Sequence, residues 1–394
     1  MTPADRPVDV LLVGGGVASV RCARTLRRRG FDGSILLVGA EDRAPYNRPP
    51  LSKELLRDDL PDELLAAEPS SWYTRRAVEL WTDAHVTRLD PDARRARLAD
   101  GRTIRFDRCL LATGAELRRL AIPGAERALM LRTAGDARRI RAAATGAPPG
   151  APAVVIGGGF IGLEVASALA AHGLRPTVVE TTSRPWAGTL GTGLAAWAAD
   201  RLAGIGVELR LGSAVTRLED GAAWVGPERI PAAFVVAGIG VVPRDELAGQ
   251  AGIATGDGVL VDAAQRTSHP AVWAAGDVAR VDGRRVEHWH AAREAGERAA
   301  LSMLDLPVPL RPQPWVFSEI AGVTLDVIGQ ADTWAEERWM RDGSVLAYLA
   351  AGRVVQLALI GSAVEVELAR SVVERAASAN ELEDVLQAAP PSLD

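Results

Sequence analysis

The feature that most constrains this chain is a pattern written twice. An apolar run at residues 8–13 ends in Gly14-Gly15-Gly16, continues as a helical pattern to Arg27-Arg28-Arg29, and is followed by a second apolar run at 34–38. The same order returns as 153–156, Gly157-Gly158-Gly159, 160–172 and 177–180, with Gly157 lying 143 positions after Gly14. A strand delivered through a glycine turn into a helix opens a doubly wound α/β unit. Two such openings this far apart are a duplicated architecture, not a short repeat.

Each turn has the chemistry of a dinucleotide cradle. In G-G-G-V-A-S, Gly14 and Gly16 allow a tight turn and a close approach of backbone to a pyrophosphate, and Ser19 stands at the third small position. The helix start supplies N–H donors and partial positive charge. Glu41, 27 residues after Gly14, is placed to accept ribose hydroxyls. The second turn, G-G-G-F-I-G, is complete: Gly157, Gly159 and Gly162, with Phe160 opening the helix. Glu180 follows 23 residues on, and an acid there favours NADH because it repels the 2′-phosphate of NADPH.

The expected fold class is α/β: two Rossmann-like dinucleotide-binding domains plus a small C-terminal α+β domain. The last is read from alternating patterns at 323–328, 345–350 and 354–360 and one terminal helix over 364–377, beyond four prolines between 307 and 314. Further strands are expected at 234–237 and 272–274, and a helix over 291–304. The boundaries that follow are 1–117 with 241–310, 118–240, and 311–394.

Composition narrows the function. With 48% hydrophobic and 24% charged residues, the chain has the balance of a soluble globular protein. No apolar run approaches the roughly 20 residues of a membrane span, and the N-terminus lacks the pattern of a secretory signal, so a cytoplasmic protein is expected. A net charge of −5 disfavours nucleic acid as a partner. Two cysteines exclude a disulfide scaffold, and Cys22 and Cys109 read as buried small hydrophobes. Of 45 basic residues only Lys53 is lysine. A GC-rich coding bias accounts for most of that, yet a compact ammonium and a planar guanidinium are not interchangeable at a tight site.

A further motif lies at 267–277, T-S-H-P-A-V-W-A-A-G-D, where an apolar strand ends in Gly276-Asp277. It resembles the second flavin-binding fingerprint of two-dinucleotide-binding-domain flavoproteins, whose Asp binds the ribityl chain of FAD. Leu110-Leu111-Ala112-Thr113-Gly114 and Ala237-Gly238-Ile239-Gly240 resemble the two crossings between the flavin and nicotinamide domains. Pro45-Tyr46-Asn47-Arg48-Pro49-Pro50-Leu51-Ser52-Lys53 closely resembles a segment of ferredoxin, rubredoxin and putidaredoxin reductases and of the related apoptosis-inducing factor. No cysteine occurs between Cys22 and Cys109, so the disulfide relay of other members of that fold is excluded.

The resemblance implies FAD, NADH and a one-electron acceptor such as a ferredoxin. It implies that Arg48 and Pro49 cover the flavin and that Lys53 pairs with Glu164 beside the flavin N5. Glu287-His288-Trp289-His290 resembles the stretch that closes the flavin site, with Trp289 by the isoalloxazine. His288 and His290 are expected to diverge at the helix start, so no metal is expected. Trp315-Val316-Phe317-Ser318 departs from the family's aromatic segment, and the chain from Arg311 on carries 6 basic and 13 acidic residues. Both features favour an alternative, a flavoenzyme acting directly on a small organic substrate. Basic clusters at 27–29, 75–76 and 94–95 favour an acidic redox partner. A non-enzymatic NADH-sensing interaction protein is a third reading.

Overall fold

The structure is a computed structural model and describes residues 6–58 and 60–388. The chain divides into two compact units. The first holds the described residues up to Arg48 together with Pro61–Glu116 and Val241–Arg311. The second holds Pro49–Leu60, Leu117–Gly240 and the described chain from Pro312 on.

The first unit is built on a seven-stranded sheet. Its central strand, Arg6–Val13, runs parallel to Ile35–Val38 on one side and Thr103–Leu111 on the other. Val78–Trp81 extends the parallel set, Val272–Ala274 pairs with Thr103–Leu111, and Arg95–Leu98 and Val86–Asp90 add an antiparallel edge. The central strand is buried on both faces: Val10 and Leu12 enter one core, Leu11 and Val13 the other. Each such side chain contributes roughly 1.5–3 kcal/mol by leaving water. Cys22 and Cys109 fall in the cores on opposite faces. Both thiols are free and fully buried, and burial pushes both far above the ordinary thiol range.

In the second unit a five-stranded parallel sheet runs Glu208–Arg210, Arg175–Val179, Pro152–Ile156, Phe234–Ala237, Ala128–Met130. A separate antiparallel sheet runs Trp315–Ile320, Val323–Ile328, Arg353–Ile360, Val345–Ala350, Glu336–Met340. Val366–Glu374 and Ala379–Ala388 complete its core. In both sheets that lead into a glycine turn the strand order reverses at the strand preceding that turn, the switch point where doubly wound sheets leave a ligand crevice.

The expected terminal helix is corrected. Its pattern ends at Glu374, because Ala376 takes a left-handed φ of 47°. A second helix then starts with a capping box in which Glu381 N donates to Ser378 Oγ and Ser378 N to Glu381 Oε2. The S-A-N-E spacing signals that start. The helix expected over 291–304 begins two residues earlier, at Trp289. Among the described residues no helix is long and apolar enough to cross a membrane.

Candidate functional site

The first turn sits where the carboxyl ends of four strands meet, since Val13 is in register with both Val38 and Leu111, and Leu111 with Ala274. Gly14 has φ 118°, and a Cβ there would lie 2.0 Å from Ala112 O, so only glycine fits. Gly16 is different. Its backbone is extended, with φ −96°, and no atom lies within 4 Å of where a Cβ would be. Among the described residues nothing crowds this position, which leaves room for a ligand to lie against the backbone. Helix Val17–Arg28 begins with neither a side-chain cap nor an acid in its first turn, which leaves its N–H donors and positive end open to an anion.

Around this turn, Arg48 Nη2 lies 2.8 Å from Glu41 Oε1, and Tyr46 donates to Glu41 Oε2 at 2.7 Å. Both Glu41 oxygens thus have protein donors, each keeping a lone pair for a hydroxyl. Thr113 Oγ1 donates to Arg244 O, and Gly114 O accepts from Arg244 N, clamping the two crossing segments together. Gly276, with φ 80°, packs close to Ala18, and Asp277 follows it directly. Trp289 Nε1 donates to Asn47 Oδ1 at 3.0 Å, and Arg293 stacks on its indole.

The rings of His288 and His290 do not diverge as expected. They lie 6.4 Å apart and nearly parallel, because His288 is the extended N-cap residue and turns its ring alongside that of His290. No group of three or more metal-ligating side chains occurs among the described residues. The expected basic cluster at 27–29 is partly consumed as well. Arg27 donates to four backbone carbonyls, those of Phe31, Gly33, Arg76 and Ala77, and Arg28 pairs with Glu297.

In the second unit, Gly157 has φ 109° and its Cβ position lies 2.4 Å from Gly238 O. Gly162 would put a Cβ 2.0 Å from Gly157 O, so this helix presses on its own turn. Gly159, like Gly16, is extended with open space beside it, and helix Phe160–Ala171 is likewise uncapped. Glu180 Oε2 accepts from Gly158 N at 2.5 Å, and Oε1 from Thr182 N at 2.8 Å. Partial burial pushes this carboxyl up, but the bonds from Thr182, Gly158 and Thr181 outweigh it and hold it below its ordinary value.

The same unit brings Lys53 and Glu164 together. Lys53 Nζ lies 3.0 Å from Glu164 Oε1, and the residues are 8% and 4% exposed. Ser318 Oγ donates to Glu164 Oε1 at 2.6 Å, and Ser52 Oγ donates to Oε2. Phe317 lies under the ammonium, 5.2 Å from ring centre to Nζ. Pro49 O, at 3.4 Å, is a second oxygen acceptor near Nζ. The segment is anchored further by Arg57 on Glu319 and by His172 Nε2 at 2.7 Å from Leu56 O.

Sequence reasoning did not identify Ser52 and Ser318 as partners of Glu164. They lie 112 and 154 positions from it, and a lone serine carries no spacing signal. The chain also holds three glycines at 188, 191 and 193 whose role no local pattern gives. Helix Thr192–Gly204 starts there, and Glu337 accepts from Thr192 N at 3.0 Å and Gly193 N at 2.7 Å. A Cβ at Gly191 would fall 2.0 Å from Glu337 Oε1, so glycine is what admits that carboxylate.

Comparison with known proteins agrees with this geometry. Residues 8–296 match the family model described as pyridine nucleotide-disulphide oxidoreductase. The ferredoxin–NAD(+) reductase component of the biphenyl dioxygenase system of Paraburkholderia xenovorans (strain LB400) is 37% identical over 335 residues, 82% of this chain and 81% of that protein. Putidaredoxin reductase, solved in covalent complex with putidaredoxin, superposes with a TM-score of 0.90 at 29% identity, covering 96% of each chain. The ferredoxin reductase of the CYP199A2 system of Rhodopseudomonas palustris gives 0.89 at 28% identity, over 97% of this chain and 100% of that one. The matched span includes both glycine turns, Lys53, Glu164 and Gly276-Asp277, and the chain belongs to the pyridine nucleotide-disulphide oxidoreductase family.

Proposed function

We propose that the protein is an NADH-dependent flavoprotein reductase that passes reducing equivalents through FAD to a ferredoxin-like or other small redox protein in the cytoplasm. The observation that carries this is the pair Gly16 and Gly159, two glycines that nothing crowds among the described residues, each at an uncapped helix start. Two such cradles fit two dinucleotides. FAD, when bound, supplies the conversion between a two-electron donor and a one-electron acceptor.

In this reading residues 1–117 with 241–310 hold FAD, through Gly14, Gly16, Ser19, Glu41, Arg48, Thr113, Gly114, Gly276, Asp277 and Trp289, with Pro49 also against the flavin. Residues 118–240 hold the nicotinamide coenzyme, through Gly157, Gly159, Phe160, Gly162 and Glu180, and 311–394 form the third domain. Lys53 and Glu164 act at the reacting centre. Glu164 pairs with the buried Lys53 ammonium, and that ammonium steadies negative charge that builds as hydride is accepted. Ser52 and Ser318 hold the carboxylate in place.

The test is purification followed by assay. The protein is expected to be yellow, to release FAD on denaturation, and to reduce a ferredoxin–cytochrome c pair with NADH in preference to NADPH. Turnover with ferricyanide but with no ferredoxin offered would favour the small-substrate reading instead. Colourless protein that takes up no FAD would end both.

A further inference from the structure

The loop after Glu180 is held at both ends. At one end Trp186 N donates to Gly158 O at 3.3 Å, and the Trp186 indole packs on Phe160 with ring centres 5.2 Å apart. Trp186 is only 5% exposed and takes a left-handed φ of 53°, so contacts rather than backbone preference keep it there. The chain then passes the fully buried Leu190, whose carbonyl accepts from Arg184, and reaches Gly191. At the other end Glu337 caps helix Thr192–Gly204 with both carboxylate oxygens, Trp334 Nε1 donates to Glu337 Oε1 at 3.1 Å, and Tyr348 Oη accepts from Gly191 N at 3.2 Å.

Glu337 lies on Glu336–Met340, an edge strand of the C-terminal sheet. A carboxylate on two N–H groups at the start of a 13-residue helix makes a charge-assisted cap. Gly191 and Gly193 leave room for it, since a Cβ at either would crowd the Glu337 carboxylate.

We infer that Glu337 is a positioning residue for the nicotinamide coenzyme. From the C-terminal sheet it fixes loop 186–193, and through Trp186 on Phe160 and Gly158 it fixes the turn against which the coenzyme lies. The inference rests on the NADH reading of that turn. Glu337 touches no reacting atom, so its loss acts on coenzyme affinity and leaves the hydride step alone.

The experiment is steady-state and stopped-flow kinetics on FAD-loaded Glu337→Ala and Glu337→Gln, with hydrogen exchange read at 186–193. Charged hydrogen bonds of this kind correspond to roughly 10-fold or more in affinity. Glu337→Ala is expected to raise KM for NADH about 10-fold, hold kcat within about twofold, keep FAD stoichiometric and speed exchange at Gly191–Gly193. Glu337→Gln, with one acceptor oxygen, is expected to fall between. An unchanged KM with accelerated exchange would overturn the inference, and so would a fall in kcat with KM unmoved. If Glu337→Ala fails to fold, Tyr348→Phe removes only the acceptor for Gly191 N; a smaller KM rise supports the inference and an unmoved KM overturns it. Wild-type protein that is not reduced by NADH would remove the reading beneath it, a distinct result.

Discussion

The two glycine turns share a backbone path and differ in where close packing is allowed. At the second, Gly162 lets the helix press on its own turn, 2.0 Å from Gly157 O to the position of a missing Cβ. At the first, the equivalent residue is Ser19, fully buried, with a hydroxyl that finds no hydrogen-bond partner among the described residues. The close approach there lies on the helix's other side. A Cβ at Gly296, in helix Trp289–Met303, would lie 2.1 Å from Ala18 O. The third glycine of the motif therefore serves packing and can be moved to a partner helix. The second, Gly16 or Gly159, has an extended backbone and open space beside it, and in the proposed reading its requirement is a bound dinucleotide.

The largest difference between the turns is expected at the Lys53–Glu164 pair, which is associated with only one of them. Lys53→Met is expected to slow flavin reduction by NADH on the order of 10²-fold while FAD stays bound, as for loss of one preorganised electrostatic donor. Stopped-flow absorbance of the flavin reads it directly. Glu164→Gln is expected to impair the same step, and the double variant to lose less than the product of the two. Reduction at the wild-type rate in Lys53→Met would return the lone lysine to a coding bias.

Gly16→Ala and Gly159→Ala separate the turns. Each new methyl enters open space, so thermal unfolding of the apoprotein should not worsen, and lower chain entropy favours a gain of about 0.4–1 kcal/mol. In the proposed reading each methyl also stands in the path of a dinucleotide, an overpacking cost of roughly 1–3 kcal/mol, or about 10-fold or more in affinity. Gly16→Ala is expected to lose FAD, and Gly159→Ala to retain FAD and raise KM for NADH. Loss of the same ligand in both would make the turns equivalent.

Glu180→Ala should narrow the preference for NADH over NADPH, roughly 10-fold in the ratio of kcat/KM, as expected for loss of one charge-assisted discrimination. The same carboxyl links folding to pH. Its native pKa lies below the ordinary value of 4.5, so its contribution is complete above that value and is lost as pH falls through the lower native one. Acid unfolding of Glu180→Ala should therefore be shallower than wild type below about pH 4.5 and parallel above it. The smallest effect is expected for Ser19→Ala. Removing an unpartnered buried hydroxyl should be neutral or stabilising by about 1 kcal/mol in the apoprotein. A fall in FAD affinity would assign that hydroxyl to the ligand.

Much of this was legible beforehand. Strands Phe234–Ala237 and Val272–Ala274 fall where their apolar runs stand, since parallel strands buried on both faces leave an unbroken signal. The edge strand Glu336–Met340, E-E-R-W-M, left none, because an edge strand half open to solvent needs no apolar alternation. The last helix was missed although its S-A-N-E capping box was there to be read.

By itself, the sequence determined what local chemistry dictates: the two strand–turn–helix openings, the glycines with positive φ at 14 and 157, and acids set beyond the second strands. Periodicity and turn sterics act over a few residues, so they can be read from a few residues. Only the tertiary structure shows which of these glycines the packing itself requires. It alone brought Ser52 and Ser318 onto Glu164, moved the close packing of the first helix to Gly296, and seated Glu337 in the space left by Gly191 and Gly193. Those contacts join residues more than a hundred positions apart. Their partners are chosen by which surfaces the folded sheets bring within hydrogen-bond reach, and no local pattern in the chain encodes that.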